Sequence, residues 1–82
     1  MVDVVFEERF KQLFFKIKEV SLKEKIIKQI EKIKINPEVG KPMMHDRKGT
    51  RELYIKPFRL SYFFDANNNI VYILDLYHKK KQ

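Results

Sequence analysis

The sequence predicts an α+β fold in the order strand, helix, helix, strand, strand, strand, with an N-terminal helical hairpin packed on one face of a mainly antiparallel four-stranded sheet. Two observations predict it. Apolar residues recur at spacings of three and four up to Ile33, then at a spacing of two from Leu53 onward, so helices and strands segregate along the chain. Pro and Asn-rich breaks separate these runs. Eighty-two residues hold one domain, 1–82, with a modest core, since so short a chain buries only about 60–65% of its unfolded surface.

Taken in order, Val2 to Phe6 is a β-branched and aromatic run that suits a strand. Phe10, Leu13, Phe14, Ile17 and Val20 then line one side of a first helix. Ser21-Leu-Lys-Glu24 reads as a capping box opening a second helix through Ile26, Ile27, Ile30 and Ile33. Asn36-Pro37 ends it, because proline disfavours helical geometry in the residue before it. The stretch from Asn36 to Gly49 has no sustained period and reads as a loop. Leu53 and Ile55 alternate with Glu52, Tyr54 and Lys56 in the next strand, a tight turn falls at Lys56-Pro57, and a strand runs from Phe58 to Asp65. Ala66-Asn67-Asn68-Asn69 is a turn, and Ile70 to Tyr77 is the last strand.

Alternation sets Phe58, Leu60, Tyr62 and Phe64 on one side of the sheet and Arg59, Ser61 and Phe63 on the other, with Asp75 and Tyr77 opposing Leu74 and Leu76. With helices covering one face, the other is open to a ligand. Arg59 stands at a strand centre, where it needs an anion, a carboxylate such as Asp75 or Glu52, or solvent.

Composition narrows the chemistry. The absence of Cys excludes disulfides, thiolate catalysis and Cys-based zinc sites. No Asp, Glu and His residues cluster at ligand spacing, and only Gly40 and Gly49 are available for a phosphate-binding loop, so neither a metal nor another cofactor is expected. Acidic residues near the N-terminus and the lack of an apolar run of about 18 residues point to a cytoplasmic protein without membrane contact. The formal charge is +7, and residues 41–82 hold nine Lys/Arg against four Asp/Glu, so the second half is the anion-facing part.

The stretch Gly49-Thr-Arg-Glu-Leu-Tyr-Ile-Lys-Pro-Phe-Arg-Leu-Ser-Tyr62, with Leu76-Tyr-His-Lys-Lys80 closing the last strand, resembles the RelE/ParE toxin superfamily. There an aromatic-Arg-hydrophobic-x-Tyr strand follows a turn, and the final strand ends in a basic or His-containing cluster. The element order is similar over nearly the whole chain. The resemblance implies the toxin of a type II toxin-antitoxin system. In its RelE-like, YoeB-like and HigB-like branches such a toxin is a ribosome-dependent mRNA endoribonuclease, bound by a RelB-like antitoxin and acting in the ribosomal A site. The ParE branch instead poisons DNA gyrase.

Carried onto this chain, the resemblance makes Arg59 the arginine at the scissile phosphate, with Arg51 and Lys79 assisting. Tyr77-His78 resembles the terminal Tyr-His of the YoeB-like branch, with His78 as proton donor; its ordinary pKa near 6.5 keeps both protonation states accessible. Lys48, Lys56, Tyr77, Lys80 and Lys81 are expected to bind RNA, and the metal-independent reaction uses the 2′-hydroxyl as nucleophile. Met43 stands where the YoeB-like branch has its glutamate base, which leaves the proton acceptor unassigned. A third expectation, a noncatalytic RNA-binding module, would use Tyr54, Phe63 and Tyr77 for base stacking.

Overall fold

A computed structural model describes residues 1–44 and 49–78. The elements are β1 (Asp3–Phe6), α1 (Glu8–Lys16), α2 (Val20–Ile35), β2 (Lys41–Pro42), β3 (Thr50–Ile55), β4 (Phe58–Asp65) and β5 (Ile70–His78). They build one sheet in the order β1-β5-β4-β3-β2, in which β1 runs parallel to β5 and every other pair is antiparallel. The α+β class and element order are those expected. The sheet has five strands instead of four, because Lys41 and Pro42 pair with Glu52 and Arg51 inside the stretch read as loop. Two residues carry no period, and a proline suits an edge strand, so nothing in the sequence announced it.

The helices lie on one face. Phe10, Ile26, Ile30 and Ile33 meet Leu60, Tyr62, Val71, Ile73 and Leu76 of the sheet in a single buried cluster. Each such side chain removed from water stabilises the fold by roughly 1.5–3 kcal/mol. Phe6, Phe10 and Phe14 stack in a column with ring centroids 5.7 and 5.6 Å apart, which fixes α1 against the end of β1.

The expected capping box is not formed. Helix α2 starts at Val20, and Lys23 N–H bonds to Glu19 O at 3.2 Å, so Ser21 already lies within the first turn. Its hydroxyl donates to Glu19 Oε1 at 2.9 Å instead of accepting from a backbone amide. The other end is as expected: Asn36 N–H closes the helix on Lys32 O at 2.8 Å, and its side-chain oxygen accepts from Glu38 N.

After α2 the chain is clamped to the sheet. The Tyr62 hydroxyl donates to Pro37 O at 2.7 Å and accepts from Gly40 N at 2.8 Å. Arg51 Nη1 donates to Glu38 O at 3.0 Å and Gly40 O at 2.8 Å. These bonds set the path that delivers β2 to the sheet edge. Burial raises the Tyr62 pKa, and the Gly40 hydrogen bond offsets only part of that.

The turn after β4 places Asn69 at φ +58°, a geometry Asn tolerates. Asp65 accepts from the Asn68 side chain at 2.8 Å and the Asn68 backbone at 3.3 Å, and these bonds hold its carboxyl below the usual range. In β5 the alternation breaks once. Ser61 faces Asp75 but Tyr62 faces Ile73, so Leu74 is an extra residue, a β-bulge. The buried residues are therefore Val71, Ile73 and Leu76, not Leu74 with Leu76.

Candidate functional site

That bulge decides what the open face presents. In unbroken alternation a buried Ile73 would carry Asp75 and Tyr77 to the core side. The extra residue turns them over, and register then sets Tyr54, Arg59 and Tyr77 side by side across β3, β4 and β5, with Glu52, Ser61 and Asp75 in the next row.

Glu52 is the centre of this face. Although it lies opposite the helices it is only 5% exposed. Its Oε1 lies 3.4 Å from Arg59 Nη1, and its Oε2 accepts the Tyr77 hydroxyl. Of the two carboxylates weighed as partners for Arg59, the structure selects Glu52. Asp75 is engaged by Arg9 Nε at 3.2 Å and by its neighbour's amide, Leu76 N, at 2.8 Å. The Arg59 Nε is buried without a partner. A cleft of about 190 Å³ opens over the pair, lined by Lys41, Met43, Glu52, Leu53, Tyr54 and Arg59.

The anticipated residues divide by face. Arg59 and Tyr77 come together. His78 does not join them: it stands across from Phe58, edge to face at 5.7 Å, and Phe58 packs on the core. Arg51 shares the core side with its strand partner Tyr62, and its guanidinium holds the loop carbonyls instead of reaching the cleft. Lys56 is exposed in the turn between β3 and β4. Lys48, Lys79, Lys80 and Lys81 lie outside the described residues. Sequence reasoning missed Lys41, which the two-residue strand β2 places opposite Glu52. Among the aromatics proposed for stacking, Tyr54 is exposed, whereas Phe63 stacks on Tyr72 at 6.2 Å further along the same face.

Chemically, the cleft pairs a guanidinium with a carboxylate, and a second cation, Lys41, stands at its wall. Such a set can hold a phosphate and move a proton without a metal. Among the described residues no three His, Asp or Glu side chains converge to hold a metal ion, and no helix is long and apolar enough to cross a membrane.

A second feature lies at the opposite edge of the sheet. A groove of about 620 Å³ runs between β1 and the two helices, lined by apolar residues such as Phe6, Phe10 and Ile27 and by both charges, Lys11 and Lys34 with Asp3 and Glu31. Phe15 and Ile27 are half or more exposed there.

No curated protein sequence matches this chain. Solved structures do match in shape. The isolated RelE toxin of Escherichia coli superimposes with a TM-score of 0.83 at 13% identity, covering 100% of this chain and 88% of that one. A YoeB/ParE toxin from Agrobacterium tumefaciens gives 0.83 at 17% identity over 94% and 98%. The RelBE2 toxin-antitoxin complex of Mycobacterium tuberculosis gives 0.82 at 22% identity over 95% and 98%. At such identities the likeness establishes the fold. The family follows from the sequence itself, which matches over residues 4–82 the profile described as the ParE toxin of the type II toxin-antitoxin system parDE. The chain is therefore a member of the ParE toxin family of type II toxin-antitoxin systems, with a fold shared by RelE and YoeB/ParE toxins.

Proposed function

We propose that this toxin is a ribosome-dependent mRNA endoribonuclease that works in the cytoplasm and cuts in the A site by metal-independent attack of the 2′-hydroxyl. The observation that carries the reading is Arg59 on the open face, its guanidinium lining a cleft beside Glu52. A planar guanidinium that stays charged suits the added negative charge of a pentacoordinate phosphorus. The Arg59, Glu52 and Tyr77 set also supports nuclease chemistry better than plain RNA binding, which needs no buried carboxylate facing the anion.

One rival reading has a specific observation behind it. The matched profile describes a ParE toxin, and a gyrase poison of that kind would leave RNA intact. The two separate when the purified protein is assayed with mRNA on programmed ribosomes and, in parallel, with gyrase and relaxed plasmid. Cleavage only in the first assay supports the endoribonuclease; loss of supercoiling only in the second supports the poison.

As partner we assign a RelB-like antitoxin. Several of the similar folds were solved as complexes, among them RelBE of Escherichia coli, RelBE2 of Mycobacterium tuberculosis and RelE-RelB of Pyrococcus horikoshii, with YoeB-YefM of Staphylococcus aureus beside them. A partner that brings apolar side chains into the groove between β1 and the helices, and acidic ones to a surface of charge +7, matches what this chain offers.

A further inference from the structure

We infer that Glu52 is the proton acceptor of the cleavage reaction, an assignment that rests on the endoribonuclease reading above. Three observations lead to it. The carboxylate is buried, yet it lines the cleft. It lies beside Arg59, which among the described residues is the one arginine that lines this cleft. It is also held in place, because Tyr77 donates to Oε2 while Oε1 meets the Arg59 guanidinium.

The duller explanation is a structural ion pair, and the geometry speaks against it. A guanidinium that serves to neutralise a buried carboxylate frequently engages it through two parallel bonds of about 2.7–2.9 Å. Here a single Nη1 lies at 3.4 Å, Nε has no partner, and the Arg59 side chain keeps 30% of its exposure. The pair is a loose contact between two groups that face a common space. That space, about 190 Å³, falls below the roughly 300 Å³ at which sites for whole small molecules begin. It fits one linkage of a longer chain.

The groups around Glu52 are compatible with the role. Lys41 faces it from β2, Arg59 from β4 and Tyr77 from β5, while Tyr54 lines the cleft from its own strand. Two cations, Lys41 and Arg59, thus flank the carboxylate on the side of the cleft. With a phosphodiester held in the cleft against the Arg59 guanidinium, the adjoining 2′-hydroxyl comes within reach of the Glu52 carboxylate. Its proton passes to Glu52, the 2′-oxygen forms a bond to phosphorus, and the bond from phosphorus to the 5′-oxygen breaks. The leaving oxygen takes a proton from water, and Glu52 returns its own to the hydroxide so formed. The products are a 2′,3′-cyclic phosphate and a 5′-hydroxyl, with atoms and charge conserved.

The test is single-turnover cleavage of mRNA on programmed ribosomes by the wild type and the variants Glu52→Gln, Glu52→Asp and Tyr77→Phe, with ribosome affinity measured separately. Loss of the proton acceptor lowers the rate of Glu52→Gln by about 10²–10⁴-fold at saturating toxin, with affinity unchanged. Glu52→Asp, which keeps a carboxylate, recovers part of that rate. Tyr77→Phe lowers it less, and stands in as the decisive variant if Glu52→Gln does not fold. A substrate whose 5′-leaving oxygen is replaced by sulfur, and so needs no protonation, leaves the Glu52→Gln deficit in place. Wild-type cleavage with Glu52→Gln at full rate, or with Tyr77→Phe at full rate should Glu52→Gln not fold, overturns the assignment alone. Rescue by the sulfur substrate does the same, since it makes Glu52 a donor. Intact mRNA with the wild type overturns the endoribonuclease reading, and this assignment with it.

Discussion

Tyr62 shows how one hydroxyl can organise a site it does not touch. Fully enclosed, it holds Pro37 and Gly40 and so fixes the segment that carries Lys41 and Met43 to the cleft. Tyr62→Phe keeps the ring and strands a buried amide and carbonyl, which is expected to cost about 1–3 kcal/mol by urea denaturation. The same variant reports on pH. Because the folded-state pKa lies above the ordinary tyrosine value of about 10, the unfolded chain ionises first, so the contribution is complete below that value and fades as pH rises beyond it. The difference in stability between wild type and Tyr62→Phe should therefore shrink above pH ~10. A difference that grew there would contradict the burial assigned to this group. Arg59 was legible in the sequence, since a charge at a strand centre is rarely idle; Tyr77 was expected opposite Leu74 and Leu76, and it takes the bulge to reconcile that side with a buried Ile73. Glu52 was legible only as a possible ion-pair partner. On the polar phase of a strand it reads as a solvated side chain, and its burial comes from neighbours supplied by three other strands.

At the scale of elements, the clamp and the bulge decide more than the helices do. Gly40 packs so closely on Tyr62 that a β-carbon there would lie 2.7 Å from its ring and hydroxyl. Gly40→Ala is thus expected to lose about 1–3 kcal/mol, as overpacking does, and to shift β2 away from β3. A thermal melt measures the first effect and loss of cleavage the second; an unchanged melting temperature would mean that the contact yields freely. The bulge at Leu74 escaped the sequence because Val71, Ile73, Leu74 and Leu76 are all apolar and admit either phase. The same phase shift explains why His78, adjacent in sequence to Tyr77, faces Phe58 instead of Arg59. Among the helices, Ile27 is half exposed in the apolar groove. Ile27→Asp is expected to leave stability within about 0.5 kcal/mol, as surface changes usually do, while weakening the RelB-like antitoxin at least tenfold in a calorimetric titration. Undiminished affinity would place the antitoxin elsewhere on the molecule.

For the molecule as a whole, the helices cover one face of the sheet and leave the other open. The segregation of helical and strand periods along the chain made this layout readable. The fifth strand was not readable, being too short to show a period. The charge of +7 sits on a chain of 82 residues, enough to steer it toward polyanions such as the ribosome and toward an acidic partner. The same scaffold serves RelE and YoeB/ParE toxins, so the target is decided by the side chains on the open face and not by the fold. The most direct measurement is cleavage of A-site mRNA on programmed ribosomes by wild type and Arg59→Ala, each first shown to be folded and ribosome-bound. Cuts that appear with the wild type and fall by about 10²–10³-fold on loss of the guanidinium are the predicted result. Intact mRNA with the ribosome-bound wild type, or equal cutting by both proteins, would contradict it.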